Sequence, residues 1–293
     1  MYTRREFTRL SLAGLALPFA ARPAVADIAG VRVGVQTYSF RDLPRPDGGD
    51  AVDVVIQAMR ACGLADCELW APQVEPRVPR QGGRDQLRTW RLDTPLDHFR
   101  AIGARFKAAG VAIHGYNYSF AADMTDAEID RGFEMTKALG AEYITASTTL
   151  PVARRVAPFA EKHRMIVAMH NHSNIKDPNE FASPESFAAA MKLSNYFKVN
   201  LDIGHFTAAN FDAVAYLREH HAAITNLHIK DRRRNQGDNT PWGEGDTPIA
   251  AVLQLLKNER WPIVADIEYE YRGTGSPVDE VTRCLQFLTR ALA

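Results

Sequence analysis

The 293-residue sequence predicts an α/β fold, a single (β/α)8 TIM barrel, and three observations support this prediction. Short β-prone runs alternate with amphipathic helical segments from Val31 onward, eight strands can be counted, and no Ser/Gly-rich linker divides the chain. The spacing is about 33 residues per unit, the size of a strand with its return helix. Such alternation indicates a parallel sheet covered by helices on both faces, and eight units favour closure into a barrel.

The predicted strands occupy residues 31–38, 66–70, 111–116, 143–147, 165–170, 199–203, 224–229 and 262–268. Between the strands, apolar residues recur at helical spacing, as Val281, Leu285 and Leu288 do in the last segment. An open, doubly wound sheet is the alternative. It requires a glycine loop that binds phosphate after the first strand, and residues 35–39 contain no glycine.

Residues 1–26 resemble a twin-arginine export signal, so the barrel is assigned to residues 27–293. Arg4 and Arg5 precede an apolar stretch at residues 10–21, which is short for a membrane span, and small residues suited to cleavage follow. We therefore expect an exported, periplasmic protein without stable membrane insertion, and a retained membrane anchor is the alternative. Export disfavours a phosphorylated substrate, because sugar phosphates are cytoplasmic.

Composition argues against nucleic acid as a partner. The chain carries 35 basic and 35 acidic residues, so it has no overall attraction to phosphate backbones.

Three cysteines, Cys62, Cys67 and Cys284, are too few and of the wrong parity for a disulfide framework, and we predict free thiols rather than a bridge between the first two. The sequence is compatible with a homo-oligomer but does not require one.

Two connections, residues 71–93 and 231–247, are longer than a return loop requires. In a barrel both would lie over the carboxyl-terminal rim, where active sites are built. The first connection carries five arginines, and the second carries three arginines and Trp242. Charged surface loops without a binding role are the alternative interpretation.

Polar residues occur at the ends of the last four strands, where apolar residues are expected. Because side chains alternate faces along a strand, residues of one parity point into the barrel together. The inward sets are His170 with His172, Asn200 with Asp202, Asn226 with His228 and Lys230, and Asp266 with Glu268 and Glu270. Buried charges are costly unless they are paired or hold a cation. Imidazoles and carboxylates from four adjacent strands therefore predict a divalent-metal site.

The sequence resembles the xylose-isomerase-like sugar isomerase/epimerase superfamily, whose TIM barrels include endonuclease IV. The resemblance is carried by residues 201–205 (LDIGH), 227–231 (LHIKD), 242–246 (WGEGD) and 267–268 (IE). It implies one divalent cation held by residues from four successive strands, of which Asp202, His228 and Glu268 are three. It also implies that His205 contacts the substrate.

The fourth ligand departs from the pattern of the superfamily. Relatives commonly read Glu-Asn-His where residues 170–172 read His-Asn-His, so an imidazole replaces the expected carboxylate. We predict that His170, Asp202, His228 and Glu268 hold the metal. Mn, Co or Zn suits this set better than Mg, which favours oxygen ligands. The resemblance implies two glutamate bases in the epimerases, and only Glu268 is present here.

These features predict a metal-dependent isomerase or epimerase that acts on a non-phosphorylated sugar through an enediolate, after a base removes the proton next to a carbonyl. The candidate bases share a predicted position near the rim and are Glu268, His205, Glu68, Asp231, Glu270 and His172. We assign catalytic roles to the first three.

A 3-keto-glycoside lyase, which expels the aglycone from the β-carbon of the same intermediate, is the closest alternative. Some members of the superfamily are such lyases, and one base suffices for elimination. A non-catalytic sugar-binding barrel is a further alternative. An enzyme of the endonuclease IV type is disfavoured, since it normally needs three metals and a basic DNA-binding face.

A carbohydrate is the expected small-molecule partner, and aromatic faces suit the apolar C–H surface of a sugar ring. The predicted substrate-binding residues are His172, Lys230, Trp70, His114, Tyr116 and Trp242. For each aromatic side chain, packing in the core is the alternative role.

Overall fold

The computed structural model describes residues 26–45, 49–79 and 81–293, and these form a closed barrel of eight parallel strands. The predicted signal peptide, apart from Ala26, lies outside the described residues. The strands are β1 (Val31–Gln36), β2 (Asp66–Trp70), β3 (Ala112–Asn117), β4 (Tyr143–Ser147), β5 (Val167–His170), β6 (Phe197–Asp202), β7 (Ile224–Ile229) and β8 (Val264–Ile267).

Closure of the sheet confirms the predicted single (β/α)8 barrel. Each strand pairs in parallel with the next, and β1 pairs with both β2 and β8. All eight predicted strands are present, and their ends differ from the prediction by no more than two residues.

Helices follow the strands and cover the outside of the barrel. They are α1 (Val52–Cys62), α2 (Gly83–Asp93), α3 (Leu96–Ala108), α4 (Asp126–Leu139), α5 (Leu150–His163), α6 (Pro184–Met191), α7 (Ile203–Ala208), α8 (Ala213–His220), α9 (Ile249–Glu259) and α10 (Pro277–Leu292). Helix α10 shows why they form: Ser276 and Asp279 make a reciprocal capping box at its start, and Val281 and Leu288 are buried on its inner face. Among the described helices, none is long and apolar enough to cross a membrane.

The strands are apolar toward the helices and polar toward the barrel axis. On β7, Leu227 and Ile229 belong to the hydrophobic core, whereas Asn226 and His228 make polar contacts with other strands. Cys62, Cys67 and Cys284 are buried free thiols, as predicted. Barrel interiors are usually filled by branched aliphatic side chains, so this polar interior distinguishes the molecule from a purely structural barrel.

A chain of polar contacts enters the barrel interior from the partly exposed Arg32 and reaches the buried His114 and Asp266. Arg32 Nε lies 2.6 Å from Asp66 Oδ2, His114 Nδ1 lies 2.8 Å from Asp66 Oδ1, and His114 Nε2 lies 3.1 Å from Asp266 Oδ2. Gly34 makes room for this chain, because a Cβ there would overlap an Asp266 oxygen. Burial acts to lower the pKa of His114, but Asp266 and Asp66 outweigh burial and raise that pKa to about 10. The imidazole is therefore charged at neutral pH.

Arginines of the first long connection stabilise the fold. Arg84 and Arg88 both bind the Glu128 carboxylate of α4, and Arg91 forms a buried pair with Glu75 at 2.7 Å. These three guanidinium groups are already paired with carboxylates. They serve the fold, whereas the alternative interpretation had them as incidental charge on a solvated surface loop.

Candidate functional site

A polar cavity of about 190 Å³ opens at the carboxyl ends of the strands, the position at which TIM-barrel sites lie. Imidazoles, carboxylates, a lysine and aromatic rings form its walls. The lining residues are Gln36, Tyr38, Trp70, Asn117, Ser119, Ser147, His170, His172, His205, His228, Lys230, Glu268 and Glu270. Asp202 is wholly buried beside them.

The turn from β6 into α7 positions Asp202. Its backbone N–H donates to Oδ1 of Asn171 at 2.9 Å, and its own Oδ1 accepts the backbone N–H of His205 at 2.7 Å, an N-cap that starts α7. Gly204 is required at this turn because a Cβ would overlap the stem of Lys230. The second oxygen of Asp202, Oδ2, is left facing the Lys230 ammonium at 3.0 Å.

The structure brings the four predicted metal ligands together. His170, Asp202 and His228 each offer a ligand atom within 4.8 Å of the other two, and Glu268 Oε2 lies 3.2 Å from His228 Nδ1. In this cluster His170 Nδ1 has no hydrogen-bond partner among the described residues, whereas Asp202 Oδ2 and Glu268 Oε2 face the Lys230 ammonium. Two imidazoles and two carboxylates at this spacing form a donor set that suits a divalent cation.

Lys230 shares the same carboxylates. Its ammonium lies 2.7 Å from Glu268 Oε2 and also contacts Glu270 and Asp202, and the side chain is buried. An ammonium and a metal ion compete for the same oxygens. Glu270 lies at the rim and is not one of the four proposed ligands. Lys230 could therefore stay paired with Glu270 while a cation binds the other carboxylates.

Burial and neighbouring charges set the protonation states of the ligands. Burial lowers the pKa of His170 well below its usual value, and His228 lowers it further, so His170 is a neutral ring. Burial raises the pKa of Asp202 to about 7, although Lys230 opposes the rise. Burial also acts to raise the pKa of Glu268, but Lys230 and His228 outweigh it and hold that pKa well below its usual value. Neutral imidazoles and ionised carboxylates are the forms that bind metals. His170 and Glu268 are in these forms, whereas a cation would displace protons from Asp202 and from His228, whose pKa is raised.

Two further histidines stand at the cavity. His172 Nδ1 lies 3.0 Å from Glu180 Oε1, so in the neutral ring the proton sits on Nδ1 and Nε2 keeps a lone pair. His205 Nδ1 accepts from the Arg232 guanidinium, so its neutral ring carries the proton on Nε2. Burial, and then Lys230, lower the pKa of His205 well below its usual value. His172 is thus arranged to accept a proton, and His205 to donate a hydrogen bond.

Glu68 does not line the cavity, and its predicted role as a base is corrected. Its carboxylate is fully buried, accepts hydrogen bonds from Thr145 at 2.6 Å and Asn226 at 2.7 Å, and lies 2.9 Å from His228 Nε2. Burial acts to lower the pKa of His228, but Glu68 and Glu268 outweigh burial and raise it well above its usual value. A base must reach the proton that it removes, so Glu68 acts instead on the orientation of His228.

Asp231, another candidate base, is also a structural residue. Its carboxylate accepts the backbone N–H groups of Gly243 at 2.8 Å, Gly245 at 3.0 Å and Thr247 at 3.1 Å. It is buried outside the cavity lining. These bonds shape the connection at residues 231–247. Gly245 is required there because a Cβ would overlap the Asp231 carboxylate, and Gly243 has a positive φ of 95°.

Three of the six predicted substrate-binding residues, His172, Lys230 and Trp70, line the cavity. Trp70 packs edge-to-face on Tyr38, with ring centroids 4.8 Å apart. This aromatic pair forms one wall of the cavity and is available to a sugar ring.

The other three do not line it, and their predicted role is corrected. His114 lies in the barrel interior with both ring nitrogens bound to aspartates. Tyr116 is fully buried and stacks on Tyr118. Trp242 packs on Phe287 in a separate surface depression. Tyr116 and Trp242 thus pack against other rings, which is the alternative role stated for them, whereas His114 belongs to a buried polar network.

Sequence reasoning missed several residues of the site. The missed lining residues are Gln36, Asn117, Ser119 and Ser147, and the missed supporting residues are Glu180 and Arg232. Gln36 shares the parity of Gly34 on β1, so strand alternation could have identified it. Glu180 and Arg232 lie on connections whose path no local pattern predicts.

Comparison with known proteins identifies the family to which this barrel belongs. A family model described as xylose isomerase-like TIM barrel matches residues 97–291, and the chain belongs to this family. A comparison with curated proteins finds no match.

Solved structures with the same fold cover nearly the whole chain. A sugar phosphate isomerase/epimerase from Parabacteroides distasonis is 15% identical with a TM-score of 0.59, over 93% of this chain and 98% of its own. The probable 3-DHS dehydratase AsbF from Bacillus anthracis is 15% identical with a TM-score of 0.63, over 88% and 98%. The IolI protein, described with a binding zinc atom, is 14% identical with a TM-score of 0.62, over 89% and 97%. At these identities the likeness establishes the fold.

Proposed function

We propose that this protein is a divalent-metal-dependent enzyme that removes the proton next to the carbonyl of a non-phosphorylated sugar and so isomerises or epimerises it. The observation that carries the proposal is the convergence of two imidazoles and two carboxylates at one buried point: His170, Asp202 and His228 each offer a ligand atom within 4.8 Å of the others, and Glu268 Oε2 lies 3.2 Å from His228 Nδ1. Membership of the family and the neighbour named a sugar phosphate isomerase/epimerase support the class of reaction.

The donor set favours Zn²⁺, Co²⁺ or Mn²⁺ over Mg²⁺, because two of its four members are imidazoles. The zinc described in IolI is consistent with this preference. A divalent cation held here would supply the Lewis acidity that polarises a carbonyl oxygen. Glu68 would keep His228 in the orientation that directs Nδ1 toward the site.

Proton transfer is assigned to the histidines at the cavity. His172 is the best-arranged base, because Glu180 holds its Nδ1–H and leaves Nε2 free to accept a proton. Glu268 is the alternative base, but the Lys230 ammonium 2.7 Å away makes that carboxylate a weaker proton acceptor. His205 can donate its Nε2–H to a substrate oxygen and stabilise the negative charge that develops there.

The cavity favours an uncharged sugar. Among the described lining residues Lys230 carries the permanent positive charge, and Asp202, Glu268 and Glu270 neutralise it. A phosphate group would find no free cation there. We also propose that residues 1–26 direct export of the protein. A location outside the cytoplasm suits a non-phosphorylated substrate.

Hydrogen exchange next to the carbonyl tests the proposal. The protein is stripped with a chelator, reloaded with Zn²⁺, Co²⁺, Mn²⁺ or Mg²⁺, and incubated with free ketoses, aldoses and 3-keto-glycosides in deuterium oxide while proton NMR follows the α-proton. We expect exchange after reloading and none in His228→Ala. His98→Ala, which removes an imidazole on α3 outside the cavity lining, is the matched control. Absence of exchange with every metal and sugar would rule out the proposed reaction.

Elimination of an aglycone from a 3-keto-glycoside is the second candidate. The imidazole of His170 favours elimination. Because His170 stands where a second glutamate base is expected, Glu268 is the single glutamate among the four proposed ligands, and elimination needs only one base. The neighbour named a dehydratase is consistent with elimination chemistry on this fold. Analysis of the products of 3-keto-glycosides distinguishes the two reactions, since only elimination releases a free aglycone.

A further inference from the structure

A second and larger cavity adjoins the polar one, between the connections that follow β1 and β2. Its volume is about 540 Å³, against about 190 Å³ for the polar cavity, and Trp70 forms part of both walls. Pockets that enclose a drug-sized ligand usually measure roughly 300–1,000 Å³. The polar cavity therefore suits a single small ring, whereas the second cavity has room for a group attached to that ring.

Apolar side chains dominate the walls of the second cavity. Phe40, Leu43, Val54, Val78 and Leu87 contribute to its lining. These residues come from the connection after β1, from α1, from the connection after β2 and from α2. Four separate segments thus present hydrophobic surface to one concave space, which favours an apolar occupant.

Three of the four charged side chains that the described residues contribute to this cavity, all except Arg77, are bound to the protein itself. Arg41 Nη1 donates to the carbonyl of Tyr269 at 2.8 Å, and Arg45 Nη1 donates to the carbonyl of Pro72 at 2.7 Å. The carboxylate of Glu75 is held by its buried guanidinium partner on α2. These residues accordingly offer a ligand mainly their aliphatic or backbone surface.

We propose that the second cavity binds an apolar, aromatic group linked to the sugar, so that the preferred substrate is a glycoside with an aromatic aglycone and a carbonyl on its sugar ring. This inference rests on the proposed function, because it places the sugar ring in the polar cavity. The Tyr38–Trp70 pair lies at the junction: Tyr38 lines the polar cavity, and Trp70 lines both. A ligand spanning the junction would bury its sugar against the polar groups and its aglycone against the apolar ones.

Matched pairs of unreactive glycosides test this inference. Calorimetry with the full chain compares phenyl and methyl members of the β-glucoside, β-galactoside and β-xyloside series. We expect at least one phenyl glycoside to bind about tenfold or more tightly than its methyl partner, because a buried ring removes apolar surface from water.

Two variants of α2 test whether the preference for phenyl glycosides arises in the second cavity. Leu87→Trp fills the second cavity and is expected to abolish the preference for the phenyl member. Leu92→Trp makes the same change at an exposed position of the same helix outside the cavity lining, and is expected to keep the preference.

Three results would each overturn the inference: equal affinities within every pair, no measurable binding of any phenyl glycoside, or a preference that survives Leu87→Trp. The proposed reaction is judged separately, by exchange of the α-proton. Exchange without an aromatic preference would remove only this inference, and an aromatic preference without exchange would remove only the reaction.

Discussion

Glu68 and His228 form a buried pair beneath the polar cavity, with Oε2 of the carboxylate 2.9 Å from Nε2 of the imidazole. The pair leaves the other ring nitrogen, Nδ1, on the side of Glu268. A carboxylate that holds one nitrogen of a metal-binding histidine fixes the ring orientation and raises the basicity of the other nitrogen. Glu68 therefore matters to the site without touching the cavity.

Replacement of this carboxylate by its amide should weaken metal binding. We expect Glu68→Gln to lower the affinity for Zn²⁺ by roughly 10–100-fold, as loss of such a supporting carboxylate typically does. Competition with a chelating dye measures the change. Glu280→Gln removes a buried carboxylate of α10 outside the site and should leave the affinity unaltered. A folded Glu68→Gln protein with normal affinity would show that His228 needs no such support.

Restoring the carboxylate that relatives commonly carry should change metal selectivity. We expect His170→Glu to raise the ratio of Mg²⁺ to Zn²⁺ affinity by about tenfold or more, because an oxygen donor replaces an imidazole. His172→Glu introduces the same carboxylate two residues away, outside the proposed ligand set, and should alter the ratio less. Calorimetric titration of the metal-free proteins provides both affinities, and an unchanged ratio in His170→Glu would exclude His170 as a ligand.

Loss of the wall shared by the two cavities should impair substrate binding. We expect Trp70→Ala to raise KM by roughly tenfold with a smaller effect on kcat, since an aromatic face contributes mainly to ground-state binding. Trp261→Ala, which removes a tryptophan stacked on His221 away from the cavity, is the control. Steady-state kinetics separates the two constants. A fall in kcat at constant KM would instead assign Trp70 to the transition state.

The interior imidazole should make stability depend on pH. The pKa of His114 is about 10 in the folded chain against 6.5 for an ordinary histidine. A raised pKa stabilises the fold fully below pH 6.5, and this contribution is lost as the pH rises through about 10. His114→Asn should cost about 3–5 kcal/mol at pH 6, the usual penalty for breaking a buried ion pair.

Urea unfolding at pH 6, 8 and 10 measures this effect. The difference in unfolding free energy between the wild type and His114→Asn should shrink as the pH rises. His221→Asn, at a partly exposed ring, should show no such trend. A difference that stays constant with pH would mean that His114 is neutral in the folded chain.

Strand periodicity accounts for the parts of the site that could be predicted. Asp202, His228 and Glu268 share the inward parity of their strands, and the order of strands in a barrel places them side by side. That parity is a local property of extended backbone. It predicted which faces of β6, β7 and β8 are polar without reference to any long-range contact, and the resemblance to the superfamily then selected the proposed ligands from these faces.

The depth of a side chain inside the barrel could not be predicted in the same way. Glu68 and His114 both point inward, but Glu68 lies beneath the cavity and His114 lies between two aspartates in the interior. The depth of a side chain along the barrel axis depends on the stagger between neighbouring strands. Register shifts at Cys67/Glu68 and at Val199/Asn200 mean that this depth cannot be found by counting residues along a strand.

The amino-acid order alone therefore predicted the (β/α)8 architecture, which follows from repeating patterns along single segments. It also predicted the four proposed metal ligands, from strand parity together with the resemblance to the superfamily. Only the folded chain decided that Glu68 supports His228, that Glu180 orients His172, and that an apolar cavity adjoins the polar one across Trp70. Such relations join residues distant in sequence, and they arise from how strands are staggered and how connections pack over the rim, which no local periodicity encodes.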